Sequence, residues 1–474
     1  MACKAVFLAV AALLLPGAAA LINGVNLGGW LLMETSWMYD SFSAPAEADF
    51  VAGLRRQHGD AFAMQTMANH WAGYIPDAAL DACSALGVTH VRVPVPYWIV
   101  EPPVVPVALP GAAPKYAFGF NHEGFATGGL NYLEAMLAKL KARGIRALID
   151  LHAMPGGSSA CNSYAGFQVA TPGFWRESPP AGNSTPIASG CGGGAGPYYS
   201  SRGAARPWRA VGEDALLALG AWVVGLEADA STAGVVDGLE VLNEPACCVA
   251  GWQDDILAFT AAAVPPLQRL LRDLDVKVLV NFIGPNNEGV GAWLAGKVRS
   301  GDFNASSLLV DYHNYLNWLG PMTWAQLAAK VCSTTAASSD WAQFAAAGLP
   351  VVIGEWSLST NLGKKEFTDL SNATIRRHLA ALYANQMSLY ATAGAGTQGQ
   401  HHWALRMGSG WDPRPSAQAP AGAQAPGTAW NTSAPGFWPA VWSLGELARL
   451  GVAVPLAQLQ VTGVCACAGC SAAG

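Results

Sequence analysis

The sequence predicts an α/β fold, a (β/α)8 barrel of the TIM type with long active-site loop insertions. Three observations carry that expectation: short β-rich runs alternate with helical patterns, the runs number eight, and polar or aromatic residues stand at or just beyond their ends. The runs are 21–27, 88–93, 145–151, 235–243, 276–282, 307–312, 350–354 and 398–404. The groups at their ends are Glu34, Arg92, His152, Asn243-Glu244, Asn286, His313-Tyr315, Glu355 and Trp403. In a parallel barrel all strands open at their C-terminal ends onto one cleft, so residues distant in sequence meet there.

Helical patterns lie between the runs, at Asp77–Leu86, Leu130–Ala142, Glu213–Ala228, Gln253–Leu274, Asn287–Val298, Trp341–Ala347, Ala373–Thr392 and Ala440–Leu450, several of them ended by Gly. Two inserts interrupt the repeat, 153–211 rich in Gly, Ser and Pro, and 407–437 rich in Pro and Ala. Long loops on the functional face shape a cleft rather than hold a fold. The stretch GCGGGAG at 190–196 is no phosphate cradle, because it follows no strand and lacks a Lys-Ser/Thr ending.

Composition bounds the function. With 474 residues, 52% hydrophobic and 12% charged, the chain can bury one large core, so a single catalytic domain over 21–455 is expected. A net charge of −6 with no long basic run excludes nucleic acid as a partner class. Lys4, the apolar run Ala5 to Leu15, then Pro16, Gly17 and Ala18-Ala19-Ala20 make residues 1–20 a secretory signal peptide; the run is too short for a membrane span. The expected protein is secreted, extracellular or cell-wall bound, and a monomer. Four N-x-S/T sequons, at Asn183, Asn304, Asn372 and Asn431, agree with that route.

Without Cys3 the mature chain carries nine cysteines, an odd count. Cys161 and Cys191 flank a loop that a disulfide can close, whereas the pairing of Cys83, Cys247, Cys248 and Cys332 is open. The tail, 456–474, holds Cys465, Cys467 and Cys470 with no paired C-x-x-C and no nearby His, so it reads as a disulfide-bonded tail or the stub of an appended module rather than a metal site. His401-His402 is no metal pair either, since adjacent strand residues point to opposite faces.

The chemistry is carried by two glutamates 111 residues apart, Glu244 in GLEVLNEP (238–245) and Glu355 in PVVIGEW (350–356). Cleaving an acetal needs one carboxyl to protonate the leaving oxygen and a second to attack or stabilise an oxocarbenium-like centre. Two acids at barrel strand ends are the layout of a glycosidase.

The segments GVNLGGWLLME (24–34), VTHVRVPVPYW (88–98), ALIDLHAMPG (147–156), GLEVLNEP (238–245), VDYHNY (310–315), VVIGEWS (351–357) and HHWALR (401–406) run in one order along the chain. In these segments the chain resembles the glycoside hydrolase family 5 enzymes of clan A, most closely the fungal-type exo-β-1,3-glucanases. The resemblance implies Glu244 as general acid/base and Glu355 as nucleophile of a retaining reaction on a β-glucan polysaccharide or oligosaccharide, with no metal and no organic cofactor. It implies further that Asn243 meets the sugar 2-hydroxyl and that Arg92 and Tyr315 hold Glu355 ionised. His152 and His313 bond hydroxyls or orient the carboxylates, Glu34 grips the far hydroxyls of the terminal glucose, and Trp403 is the floor for its ring.

The chain also departs from the family. Where the family has a clamp aromatic after HAMPGG, this sequence reads Ser158-Ser159-Ala160-Cys161-Asn162, with Tyr164 as the substitute, while Trp318 stands at the opposite clamp position. The family's Trp-x-Trp-Lys becomes Trp403-Ala404-Leu405-Arg406. The expected enzyme is a glucan exo-1,3-β-glucosidase releasing glucose from non-reducing ends, with transglycosylation as a side reaction. The alternatives are an endo-glucanase of β-1,3, β-1,6, β-1,4 or glucolipid specificity, and a catalytically weak glucan-binding wall protein.

Overall fold

The computed structural model describes residues 21–39, 44–175, 191, 207–247, 249–320, 322–333, 339, 341–360, 370–391, 397–408, 411–415, 441–455 and 458–459. The expected leader 1–20, the sequons at Asn183 and Asn431, Cys248 and the three tail cysteines lie outside the described residues.

Eight parallel strands close into a barrel. They are β1 (Ile22–Asn26), β2 (His90–Pro96), β3 (Arg146–Ala153), β4 (Val236–Glu240), β5 (Lys277–Asn281), β6 (Leu308–His313), β7 (Val351–Trp356) and β8 (Thr397–His402). Each pairs with the strand before and after it, and β8 returns to β1 with Gly24 beside His401. All eight overlap the predicted runs. The strands are buried on both faces, with a period of two that sorts the two kinds of interior. Val91, Val93 and Val95 of β2, Ile149 and Leu151 of β3, and Val351 and Ile353 of β7 pack outward in the large apolar core shared with the helices.

The opposite parity faces the barrel axis and is layered. Ile22, Leu148, Leu279, Leu309 and Val352 form a separate apolar plug near the N-terminal ends. Gly238 completes this layer, because a Cβ there would lie 2.9 Å from Leu279 and 3.0 Å from Leu148. Two residues further along, the same faces present Asp150, Glu240, Asn281 and Asp311 together with the long side chain of Arg92, all buried. Above these come His152, His313 and Glu355. The barrel thus rises from an apolar plug through a charged layer to its mouth.

Helices flank the strands at Asp77–Ala85, Leu130–Lys141, Trp208–Leu226, Gln253–Leu270, Val290–Arg299, Ala342–Ala346, Ala373–Ala391 and Leu444–Arg449, each on a predicted pattern. The last starts on a Ser443 cap, whose hydroxyl accepts from the Glu446 amide at 3.2 Å. Sequence reasoning missed the helices Glu47–His58, Asp60–Gly73 and Trp324–Ser333 and a small antiparallel sheet of Val105–Pro106, Gly119–Phe120 and Ala126–Thr127. Asp60–Gly73 has little amphipathic signal because Ala63, Met64, Thr66, Met67, Ala68, His70 and Trp71 bury most of its surface.

The Cys161–Cys191 disulfide is present, as the loop spacing allowed. Cys83 and Cys247 are both buried. Among the described residues no helix is long and apolar enough to cross a membrane.

Candidate active site

Arg92 organises the barrel's centre. The prediction put it at a strand end, but it is the third residue of β2 and fully buried, so it lies below the mouth. Its Nη1 donates to Glu355 Oε1 at 2.8 Å and to Asn26 Oδ1 at 3.1 Å, and its Nη2 donates to Asn243 Oδ1 at 2.8 Å. The same guanidinium pairs with Asp150 at 3.0 Å, Glu240 at 2.8 Å and Asp311 at 3.2 Å. One cation therefore faces four carboxyl groups, which burial alone would disfavour.

Glu244 follows β4 by four residues, in a backbone turn of left-handed conformation at φ 38°. That region is unfavourable for a side chain with a Cβ by about 1–2 kcal/mol, so the turn needs external support. The Ser159 hydroxyl donates to the Glu244 carbonyl at 2.6 Å, and the Ala246 amide to the Ser158 carbonyl at 2.9 Å. The SSAC stretch that replaces the family's aromatic thus holds the Glu244 turn. Asn286, expected at the mouth, also serves the turn: its Nδ2 donates to the carbonyls of Ala246 and Val249 at 3.3 and 2.9 Å.

The two glutamates meet. One oxygen of Glu244, one of Glu355 and a ring nitrogen of His313 lie within 4.8 Å of one another. His313 Nδ1 is 2.7 Å from Glu244 Oε1 and 3.4 Å from Glu355 Oε2, and the Tyr315 hydroxyl donates to Glu355 Oε2 at 2.8 Å. The opposite wall is His152, whose Nδ1 bonds Asp150 at 2.5 Å and whose Nε2 faces the Asn243 amide at 3.3 Å. Because Arg92 takes Asn243 Oδ1, the amide turns its Nδ2 to His152, whose Nε2 then accepts and whose Nδ1 carries the proton to Asp150. Asn243 keeps one amide hydrogen for a ligand.

Burial raises both glutamates, but the hydrogen bond and charge of His313 outweigh it at Glu244, which is held below the usual carboxylate range. At Glu355 burial, helped by the charge of Glu244, wins over His313 and Arg92 and leaves the carboxyl above that range. The expected donors to Glu355 are in place, and the sign of its shift is the reverse of that expected from Arg92 and Tyr315 alone.

The remaining predicted residues are spread around this centre. Trp403 is buried and lies parallel to the His152 ring at 5.6 Å and 12°. Glu34 is buried, accepts from Trp37 Nε1 at 2.8 Å, and is raised to about 7 by burial. Tyr164 stands edge-on to His152 and exchanges a side-chain hydrogen bond with Glu244. Trp318 is 78% exposed and outside the enclosed cluster, on the rim. Arg406 turns away: its Nη1 donates to the Tyr74 carbonyl at 2.7 Å, with its guanidinium over the Tyr74 and Trp411 rings.

Sequence reasoning passed over Asn26, Asp150, Glu240 and Asp311, all buried beneath the pair. Their signal was the period of two, since Asp150-x-His152 and Asp311-x-His313 must share a strand face.

Paired carboxylates at the mouth of a (β/α)8 barrel are an arrangement that suits cleavage of an acetal. Residues 237–389 match the family model Cellulase (glycosyl hydrolase family 5). It is 30% identical over 142 residues to a probable glucan 1,3-beta-glucosidase A of Aspergillus niger, covering 29% of this chain and 30% of that relative's length. It is 31% identical over 163 residues to a probable glucan endo-1,6-beta-glucosidase B of Neosartorya fischeri, covering 33% of this chain and 36% of the relative. The crystal structure of rutinosidase from Aspergillus niger shares the fold, with a TM-score of 0.53 and 18% identity over 82% of this chain and 90% of that one.

Proposed function

We propose that the chain is a secreted retaining β-glucan hydrolase that releases glucose from the non-reducing ends of β-1,3-linked chains. The observation that carries this is the short gap between Glu244 and Glu355, with oxygens within 4.8 Å. A retaining pair stands about 5–5.5 Å apart and an inverting pair about 6.5–9.5 Å, because the latter must admit water between carboxyl and sugar.

In this reading Glu355 attacks the anomeric carbon while Glu244 protonates the leaving oxygen. The bond from anomeric carbon to aglycone oxygen breaks as the bond to Glu355 forms. Glu244, now ionised, takes a proton from water or from an acceptor sugar, and that oxygen displaces Glu355. The positive charge developing on the sugar ring favours ionised Glu355, which moves the pair's proton to Glu244 when the sugar is bound. Arg92 and Tyr315 hold the attacking carboxylate, Asn243 offers its remaining amide hydrogen to the 2-hydroxyl, and Trp403 underlies the ring. Glu34 takes the distal hydroxyls, a contact that favours a terminal glucose and hence exo action. No second copy of the chain is required.

Two substitutions test the roles. Glu244→Gln is expected to lose at least about 10²-fold on glucan while still forming the glycosyl-enzyme from substrates with very good leaving groups, which need little protonation. Glu355→Gly is expected to make glycosidic bonds from α-glucosyl fluoride without hydrolysing glucan. Equal collapse of Glu244→Gln on both kinds of substrate, or a folded Glu355→Gly without synthesis, contradicts the assignment.

A further inference from the structure

Glu240, at the last position of β4, is fully buried. Its Oε2 receives two guanidinium contacts from Arg92, 3.0 Å from Nε and 2.8 Å from Nη2. Its Oε1 has no hydrogen-bond partner, and neither oxygen of the neighbouring buried Asp311 has one. Oxygens of Glu240 and Asp311 and a ring nitrogen of His313 lie within 4.8 Å of one another. Two ionised carboxylates this close, sharing the Arg92 guanidinium through Glu240 Oε2 and Asp311 Oδ2 while Glu240 Oε1 and Asp311 Oδ1 lack a donor and water, are strongly unfavourable. One proton on Glu240 Oε1 removes the repulsion and supplies the missing donor. The charged and titratable groups facing this pair are Arg92 from β2, Asp150 from β3, His313 from β6 and, from β8, the buried His401, whose imidazole burial holds at about 3 and so leaves neutral.

We infer that Glu240 is a positioning residue: as a carboxylic acid it donates from Oε1 to Asp311 while Oε2 accepts from Arg92, fixing Asp311 beneath the His313 ring that bridges Glu244 and Glu355. This rests on Glu244 and Glu355 being the reacting pair. The electrostatics agree. Burial pushes Glu240 far above the usual carboxyl range, whereas Arg92 and His313 overcome burial at Asp311 and hold it at about 2. Two carboxyls of one cluster thus take opposite protonation states from their surroundings. Asp311 is confined from above as well, since a Cβ on Gly354, the residue before Glu355, would sit 2.0 Å from its Oδ1.

The test compares three variants of the full chain. Wild type minus Glu240→Gln at pH 7 should show, in the infrared, the carbonyl stretch of one un-ionised carboxyl group; a difference confined to carboxylate bands overturns the inference. That readout does not depend on turnover, so it can fail or stand apart from the assignment of the reacting pair. In kinetics, Glu240→Leu should lower kcat about tenfold or more with KM within about threefold, and the neutral donor in Glu240→Gln should restore most of the loss with the pH profile unmoved. Asp311→Asn removes a real negative charge and should move both limbs of the kcat/KM profile to lower pH, by about one unit. Glu240→Gln and Asp311→Asn moving the limbs alike, or Glu240→Leu keeping wild-type kcat, contradicts the inference.

Discussion

Glu47 lies outside the barrel mouth, fully buried, with Oε2 accepting from the Met33 amide at 2.7 Å and Oε1 without a partner. It tethers the residue next to Glu34. Burial, only partly offset by that amide, raises its carboxyl to about 8. The folded chain therefore keeps a proton that the unfolded chain has released, and stability falls as pH rises from the ordinary value of 4.5 to about 8. Glu47→Gln has no proton to lose, so its unfolding free energy should fall less across this span, by at least about 1 kcal/mol in urea titrations at both ends. Parallel curves for the two proteins contradict the buried-acid account. At this scale the sequence was most legible where a residue's chemistry is rare: the glutamates, Asn243, the histidines and Arg92 all come together at the barrel's centre. Asp150, Glu240 and Asp311 were less legible because acids in a strand ordinarily mark a solvated face, and only closure of the barrel puts that face inside.

At the scale of the element, strands were easier to read than helices. Strands β2, β3, β5, β6 and β7 are short runs rich in Val, Ile and Leu, and their two buried faces make the runs conspicuous. The helix Asp60–Gly73 is buried on most sides and lacks the stripe that would announce it. Loops were legible as inserts but not as supports, and the Ser159 contact that holds the Glu244 turn depends on tertiary placement across 85 residues. Strand β7 shows how little room its inner face leaves. Any side chain at Gly354 meets the Asp311 carboxylate, so Gly354→Ala must displace Asp311 or the strand end carrying Glu355. The expected result is about 1–3 kcal/mol of lost stability by urea unfolding, together with kcat reduced at least about tenfold. A variant of wild-type stability and activity would show that the acid is not confined there.

At the scale of the whole molecule, the barrel collects carboxylates from β3, β4, β6 and β7 around one guanidinium and leaves two glutamates beyond the charged layer. In the proposed reading the two-glutamate chemistry follows from that gathering, whereas linkage and exo against endo action depend on groups around it, among them the buried Glu34 and the exposed Trp318. The first product reports on both. The decisive measurement is a proton NMR time course of residues 21–474 with laminarin, read at the anomeric signals before mutarotation. The account predicts β-glucose from the first spectra. Oligosaccharides in its place would keep the mechanism and move the specificity to an endo enzyme, while α-glucose would contradict the retaining pair of Glu244 and Glu355.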